Sequence, residues 1–250
     1  MCIMQNRFCV KEMYENYIFD LYGTLVDIRT NENKQYLWQK MSEIYSALGA
    51  VYTAKELKTS FVELEKEMVA DLPEYGEPEL GKVFAALFHK KGINCNGQLA
   101  KSTAITFRAL SRKKLKVYEG VIDTLKELRA NGKGVYLLSN AQSDFTRPEL
   151  DMLGLPSCFD GILISSEEGY KKPSPIFYQR LLDKYHLYPK TCLMVGNDER
   201  SDIAGAIAAG MDSLYIHTEI SPREPIQKLA TYHVLDGDWK KVSKILKSTM

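Results

Sequence analysis

The sequence lacks any apolar run approaching the roughly 18–20 residues that a membrane span requires, so no membrane partner is expected. It lacks an excess of either charge, since 33 Lys and Arg against 32 Asp and Glu leave a net charge of +1. A near-neutral chain is not built to hold nucleic acid by bulk electrostatics, so no nucleic-acid partner is expected. Cysteine is scarce: five stand at 2, 9, 95, 158 and 192, with no pair at metal-ligand or redox spacing. Neither a disulfide framework nor a zinc cluster is expected from an odd, scattered set. Residues 1–10 hold no apolar segment ahead of a small-residue cleavage site, so the expected location is the cytoplasm, with free thiols. The first dozen residues read as a loose polar extension. What is present is ordinary for a soluble protein, 45% hydrophobic and 26% charged, in 250 residues that suffice for one large domain or two modest ones.

Periodicity divides the chain. A short apolar stretch, Tyr17-Ile18-Phe19, stops at Asp20 and a turn-like break. From about Asn31 to Lys116 the pattern is helical. Leu37, Met41, Ile44, Tyr45 and Leu48 share one face of a helix ended by Gly49. Thr53 and Glu56 form a capping box ahead of Leu57, Phe61, Leu64 and Met68. Leu80, Phe84, Leu87 and Phe88 predict a third helix, and Ala100, Ala104, Phe107 and Leu110 a fourth. After Lys116 apolar strands alternate with helices, the strands being 135–138, 161–164, 192–195 and 213–216. Uninterrupted apolar strands between helices predict an α/β fold with a doubly wound parallel sheet. The expected core is 1–30 plus 117–250, and the expected insertion is a helical domain over 31–116. The basic run Arg112–Lys116 reads as a solvated face, and Trp38 as core.

In open parallel sheets ligands bind beyond the carboxyl ends of the strands. There the sequence presents Asp20, then Ser139, then Lys171 and Lys172 in a loop, then Asn197, Asp198 and Asp202. Lys and Ser suit a phosphate or carboxylate, and the acidic group suits a hard cation such as magnesium. Asp20 remains as a nucleophile or metal ligand. Each residue alone also fits a turn or helix cap. The ordered set, each at the right end of its own strand, is harder to explain that way.

These residues resemble the haloacid dehalogenase-like (HAD) hydrolases. Phe19-Asp20-Leu21-Tyr22-Gly23-Thr24-Leu25 is similar to their first motif, D-x-D-G-T-[LV]. Leu137-Leu138-Ser139-Asn140 is similar to the second, and Gly169–Pro175 to the third, with Lys172 in the lysine position. Val195–Asp202 is similar to the fourth, G-D-x-x-x-x-D. All four occur in order over about 17–217. The resemblance implies a Rossmann-like core with a helical cap between the first and second motifs. It implies a catalytic set of Asp20, Tyr22, Ser139 and Lys172, with Asp20 forming an aspartyl ester. It implies that Gly23, Thr24, Asn140 and Tyr178 serve phosphate or substrate. Mg²⁺ would be held by Asp20, the main-chain oxygen of Tyr22, Asn197, Asp198 and Asp202.

Two departures bear on activity. Tyr22 stands where phosphatases of the family carry an acid/base Asp, and a phenol with a pKa near 10 is no base at neutral pH. D-x-Y-G-T is the pattern of the family's 2-haloacid dehalogenases, which are metal-free, and Tyr178 falls at a spacing they use. Asn197 stands where an Asp is expected, and Asp198 is one residue away. A dehalogenase would want an Arg early in the cap, and none occurs between Asn31 and Phe107. The first expectation is therefore a Mg²⁺-dependent phosphatase of a small anionic metabolite. A metal-free 2-haloacid dehalogenase is the alternative, and a catalytically weak ligand- or partner-binding protein a third.

Overall fold

The computed structural model describes residues 14–223 and 228–250. The expected N-terminal extension lies outside them. The chain opens with β1 (Asn16–Phe19) and β2 (Val26–Thr30). Four helices follow: α1 (Gln35–Ala47), α2 (Ala54–Ala70), α3 (Leu80–His89) and α4 (Gly97–Ser111). Then come β3 (Arg112–Val117), α5 (Val121–Ala130), β4 (Gly134–Ser139), α6 (Ser143–Met152), β5 (Gly161–Ile164), α7 (Ser165–Glu168) and α8 (Pro175–Tyr185). The chain closes with β6 (Cys192–Gly196), α9 (Ala204–Ala208), β7 (Asp212–Ile216), β8 (Tyr232–Val234) and α10 (Trp239–Ser248).

Among the described residues six strands form one parallel sheet in the order β5-β4-β1-β6-β7-β8. The reason lies in the apolar runs. Tyr17, Ile18 and Phe19 are all fully buried, as a strand covered on both faces requires. Their side chains alternate between the two layers. Tyr17 and Phe19 join Leu137, Val195 and Leu214 beneath α5 and α10. Ile18 joins Leu138, Met194, Phe177 and Leu181 beneath α8.

The helices α1–α4, called the cap below, bury an aromatic cluster of their own with Trp38, Phe61, Phe84, Phe88 and Phe107. Trp38 and Phe61 lie 5.3 Å apart, and Phe61 stacks on Phe107 at 5.5 Å. Such pairs contribute about 0.5–1.5 kcal/mol each beyond area burial. Thr53 Oγ1 accepts the Glu56 amide at 3.1 Å, capping α2 as its spacing predicts.

Three elements depart from the sequence reading. Helical periodicity ends at Ser111, not Lys116, because residues 112–117 pair antiparallel with Val26–Thr30. This ribbon carries the chain both into and out of the cap. Its few apolar residues hid it: only Leu115 and Val117 turn inward between exposed lysines. Nor is the basic run a uniformly solvated face, since Arg112 bonds Glu149 and Lys114 pairs with buried Asp27. The helix expected after the strand at 192–195 begins instead as a π-helical turn, Glu199–Ile203, followed by α9. Strand β8, three residues long, is too short to read from pattern. No helix among the described residues is long and apolar enough to cross a membrane.

Candidate active site

Strand β1 is flanked by β4 on one side and β6 on the other, so the sheet changes direction of growth there. Phe19 is level with Leu137 and Val195, which places Asp20 between the ends of the two neighbouring strands. A crevice at such a switch point is where an open α/β sheet binds its ligand. The Asp20 amide donates to Val195 O at 3.0 Å, extending the ladder by one residue. The side chain is left pointing beyond the sheet edge, 8% exposed.

Lys172 reaches this point from the loop after α7. Its ammonium donates to Asp20 Oδ1 at 2.7 Å and to Leu138 O at 2.7 Å, and lies 2.8 Å from Asp202 Oδ1. Burial pulls the Lys172 pKa down, but the two carboxylates outweigh it and the ammonium is held more firmly than usual. Burial raises the Asp202 carboxyl against the pull of Lys172. Two buried carboxyl groups thus share one ammonium. The hydroxyl of Ser139, 1% exposed, has no hydrogen-bond partner among the described residues. An orphaned buried hydroxyl is costly unless a ligand satisfies it.

The remaining residues expected at the site occupy its frame. Gly23 has φ +86°, and a Cβ there would overlap Asn197. Glycine alone allows both the left-handed turn and the contact. Thr24 Oγ1 lies 3.2 Å from Asp20 Oδ2 and 3.3 Å from Asn197 Oδ1, bridging the first and fourth motifs. Asn197 Nδ2 donates to Ser221 Oγ at 3.3 Å. Asp198 Oδ1 accepts the Arg200 amide, and its own amide donates to Asp202 Oδ2 at 3.0 Å. Among the described residues no three Asp, Glu, His or Cys side chains converge as a metal cluster. The carboxyl oxygens of Asp20 and Asp202, with nearby amide and carbonyl oxygens, are nevertheless the hard donors that a magnesium-like cation takes.

Two expected substrate contacts are placed differently. Asn140 Nδ2 donates to Lys172 O at 3.0 Å while Asn140 Oδ1 accepts the Lys172 amide at 2.7 Å, so its amide fixes the lysine main chain. Tyr178 is wholly buried, and its hydroxyl lies 3.1 Å from Ser201 O and 2.9 Å from Asp202 O, behind the fourth-motif loop and away from the cleft. The spacing that suggested a ligand contact counts six residues from Lys172, in the loop, into α8. The face on which this one falls is the packed one. Gly205 of α9 lies against the same ring, where a Cβ would overlap it. Gly205→Ala is therefore expected to lose about 1–2 kcal/mol: overpacking costs ~1–3 and helix propensity returns up to ~1. Urea unfolding measures this, and an unchanged midpoint would contradict the close packing.

Tyr22 lies under the cap. Its hydroxyl donates to Glu149 Oε2 at 2.5 Å and lies 3.2 Å from Thr146 Oγ1. Burial, then the Glu149 carboxylate, pushes the phenol well above its ordinary pKa. Glu149 also accepts Arg108 Nε at 2.9 Å and Arg112 Nη1 at 3.0 Å. Arg108, just past the arginine-free stretch, thus does reach the cleft, with its guanidinium 5.4 Å from the centre of the Tyr22 ring. A cavity of about 370 Å³ between cap and core is lined by Tyr22, Glu65, Glu77, Arg108, Asn140 and Lys171, among others. Glu149, Gln142 and Glu77 escape sequence reading, since nothing local marks them.

Comparison with known proteins identifies the family. The family model of haloacid dehalogenase-like hydrolases matches residues 14–210. A phosphoserine phosphatase of Thermus thermophilus is 31% identical over 114 residues, 46% of each chain. Phosphoglycolate phosphatase 1 of Pseudomonas aeruginosa is 32% identical over 121 residues, 48% of this chain and 44% of that one. The matched part thus spans about half the length of these curated relatives. Among solved structures, a 2-haloacid dehalogenase from Pseudomonas syringae superposes with a TM-score of 0.68 at 19% identity, covering 95% of this chain and all of that one. A HAD phosphatase from Thermococcus onnurineus gives 0.59 at 19%, covering 93% and 97%. At such identities the structural likeness is one of fold alone. The family match over most of the chain, with its four motifs gathered at one sheet edge, establishes that this protein belongs to the haloacid dehalogenase-like hydrolases.

Proposed function

We propose that the protein is a Mg²⁺-dependent phosphomonoester hydrolase of a small metabolite. The observation that carries this reading is the group around Lys172: a strand-end Asp20, a second carboxylate on the same ammonium, and an unpartnered Ser139 hydroxyl on the next strand. Asp20 is the nucleophile, attacking phosphorus to give an aspartyl phosphate. Lys172 and Ser139 hold the transferring phosphoryl oxygens and stabilise their charge. Asn140 fixes Lys172, and Thr24 orients Asp20. Mg²⁺ would be held by Asp20, the Tyr22 carbonyl, Asn197 and Asp202, with Asp198 beside them. Bound there, it would neutralise charge on the phosphoryl group. The cavity of about 370 Å³ beside the site has room for the leaving group of a small metabolite. The relatives named as phosphatases support the same chemistry. Buried free thiols at Cys95, Cys158 and Cys192 accord with a reducing cytoplasm.

Tyr22 favours one competing reading, metal-free attack of Asp20 on the carbon of a 2-haloacid. Its hydroxyl is committed to Glu149, however, and the Arg108 Nε and Nη2 groups to the same carboxylate. A panel of phosphate monoesters and short 2-haloacids separates the readings. Phosphate release that EDTA removes and Mg²⁺ restores is the expected result. Halide release without Mg²⁺, or ligand binding with no turnover on any ester, would overturn it.

A further inference from the structure

An alkoxide leaving a phosphate ester needs a proton, and Tyr22 is not placed to give one. Its hydroxyl already donates to Glu149. We propose that Glu77, on the loop between α2 and α3, is the general acid and base of this site. The proposal rests on the phosphomonoesterase reading.

Glu77 lines the same cavity as Tyr22, together with Asn140 and Ala141, which directly follow Ser139. It is partly buried, its side chain 12% exposed. Its position is over-determined. Oε1 accepts Gln142 Nε2 at 2.8 Å, and its main-chain amide donates to Gly169 O at 3.1 Å. Gln142 also donates to Pro78 O and accepts the Leu80 amide, while the Lys171 amide donates to Tyr75 O at 2.9 Å. The cap loop is thereby fastened to the segment that carries Lys172.

The charged and titratable groups around it are Lys171, whose ammonium is 3.8 Å from Glu77 Oε2, Glu65 of α2, Arg108 of α4, and Tyr22. Burial raises the Glu77 carboxyl, and Lys171 and Gln142 offset this only in part. A carboxyl raised above its ordinary range is a better proton donor than an exposed one, and its conjugate base can take the proton back. Other carboxylates are less suited. Both oxygens of Glu149 are taken by Arg108, Arg112 and Tyr22. Glu65 is half-buried, and no hydrogen bond among the described residues fixes its side chain.

The steps balance as follows. Asp20 attacks phosphorus and the bond to the leaving oxygen breaks, with the electron pair staying on that oxygen. The Glu77 carboxyl proton passes to it, releasing the alcohol. Water then attacks the aspartyl phosphate and gives its proton to the Glu77 carboxylate. The phosphorus–Asp20 bond breaks, returning free Asp20, inorganic phosphate and protonated Glu77.

The test is Glu77→Gln, which keeps size and a hydrogen-bonding amide facing Gln142. Turnover of an alkyl phosphate that the wild type hydrolyses is expected to fall by about 10²–10⁴, with KM little changed. With p-nitrophenyl phosphate, whose leaving group needs no proton, the variant is expected to show a one-per-enzyme burst of nitrophenol and then slow turnover. Far-ultraviolet circular dichroism matching the wild type confirms folding. Turnover within threefold of wild type on the alkyl ester, or equal slowing of both burst and alkyl cleavage, would overturn the assignment of Glu77 alone. A wild type that forms no phosphoenzyme and hydrolyses no ester would instead overturn the underlying reading.

Discussion

An Asp20→Asn protein is expected to lose turnover by a factor on the order of 10⁴–10⁶, the loss seen when a nucleophile that acts as one unit with its neighbours is removed. An amide nitrogen or oxygen cannot form and release the acyl phosphate. The fold, by contrast, should persist within about 1 kcal/mol. Asn keeps an oxygen for Lys172 Nζ, now 2.7 Å from Asp20 Oδ1, and its amide nitrogen would face the Thr24 hydroxyl, whose oxygen can accept from it. The change also converts two carboxylates sharing one ammonium into the single pair Lys172–Asp202. The urea midpoint should therefore stay level or rise while activity vanishes. Trapping of a phosphoryl adduct in the wild type, and its absence in the variant, reads the same step directly. Undiminished activity in Asp20→Asn would remove Asp20 from the nucleophile role.

The largest stability effect is expected from Glu149→Ala. Glu149 is 2% exposed and is the acceptor for Arg108 of the cap, Arg112 of the ribbon and Tyr22 of the nucleophile loop. Removing it leaves two guanidinium groups facing one another, with side chains only 11% and 21% exposed. Breaking one side of a buried ion pair costs about 3–5 kcal/mol, and the partial exposure of Arg112 points to the lower part of that range. Glu149→Gln retains one acceptor and should lose less. Urea unfolding of the two variants measures the difference. A loss below about 1 kcal/mol for Glu149→Ala would show that the cluster is solvated in solution and does not tie cap to core.

Much of this molecule is written in local pattern. Tyr17-Ile18-Phe19 and Val135–Leu138 are runs that only a doubly covered strand can bury, so the parallel sheet is legible from the order of residues alone. Leu37, Met41 and Tyr45 repeat at helical spacing, and Thr53 caps the helix that follows. The strand ends are legible too. Asp20, Ser139, Lys172, Asn197 and Asp202 can be named because a parallel sheet brings its carboxyl ends to one edge. The ribbon of Val26–Thr30 with Arg112–Val117 is not legible. Its lysines mask the alternation, and its stability comes from main-chain pairing across the cap.

By itself, then, the sequence determined the sheet, the helical insertion and the set of residues at the sheet edge, all of which follow from periodicity and chain order. Only the tertiary structure decided what each residue touches. It set Tyr178 behind the fourth-motif loop, turned the Asn140 amide onto Lys172, and joined Tyr22 to Glu149 across 127 residues and Arg108 to Glu149 across 41. Hydrogen bonds and ion pairs between distant segments leave no periodic trace, because their partners are chosen by where folded elements meet and not by spacing along the chain.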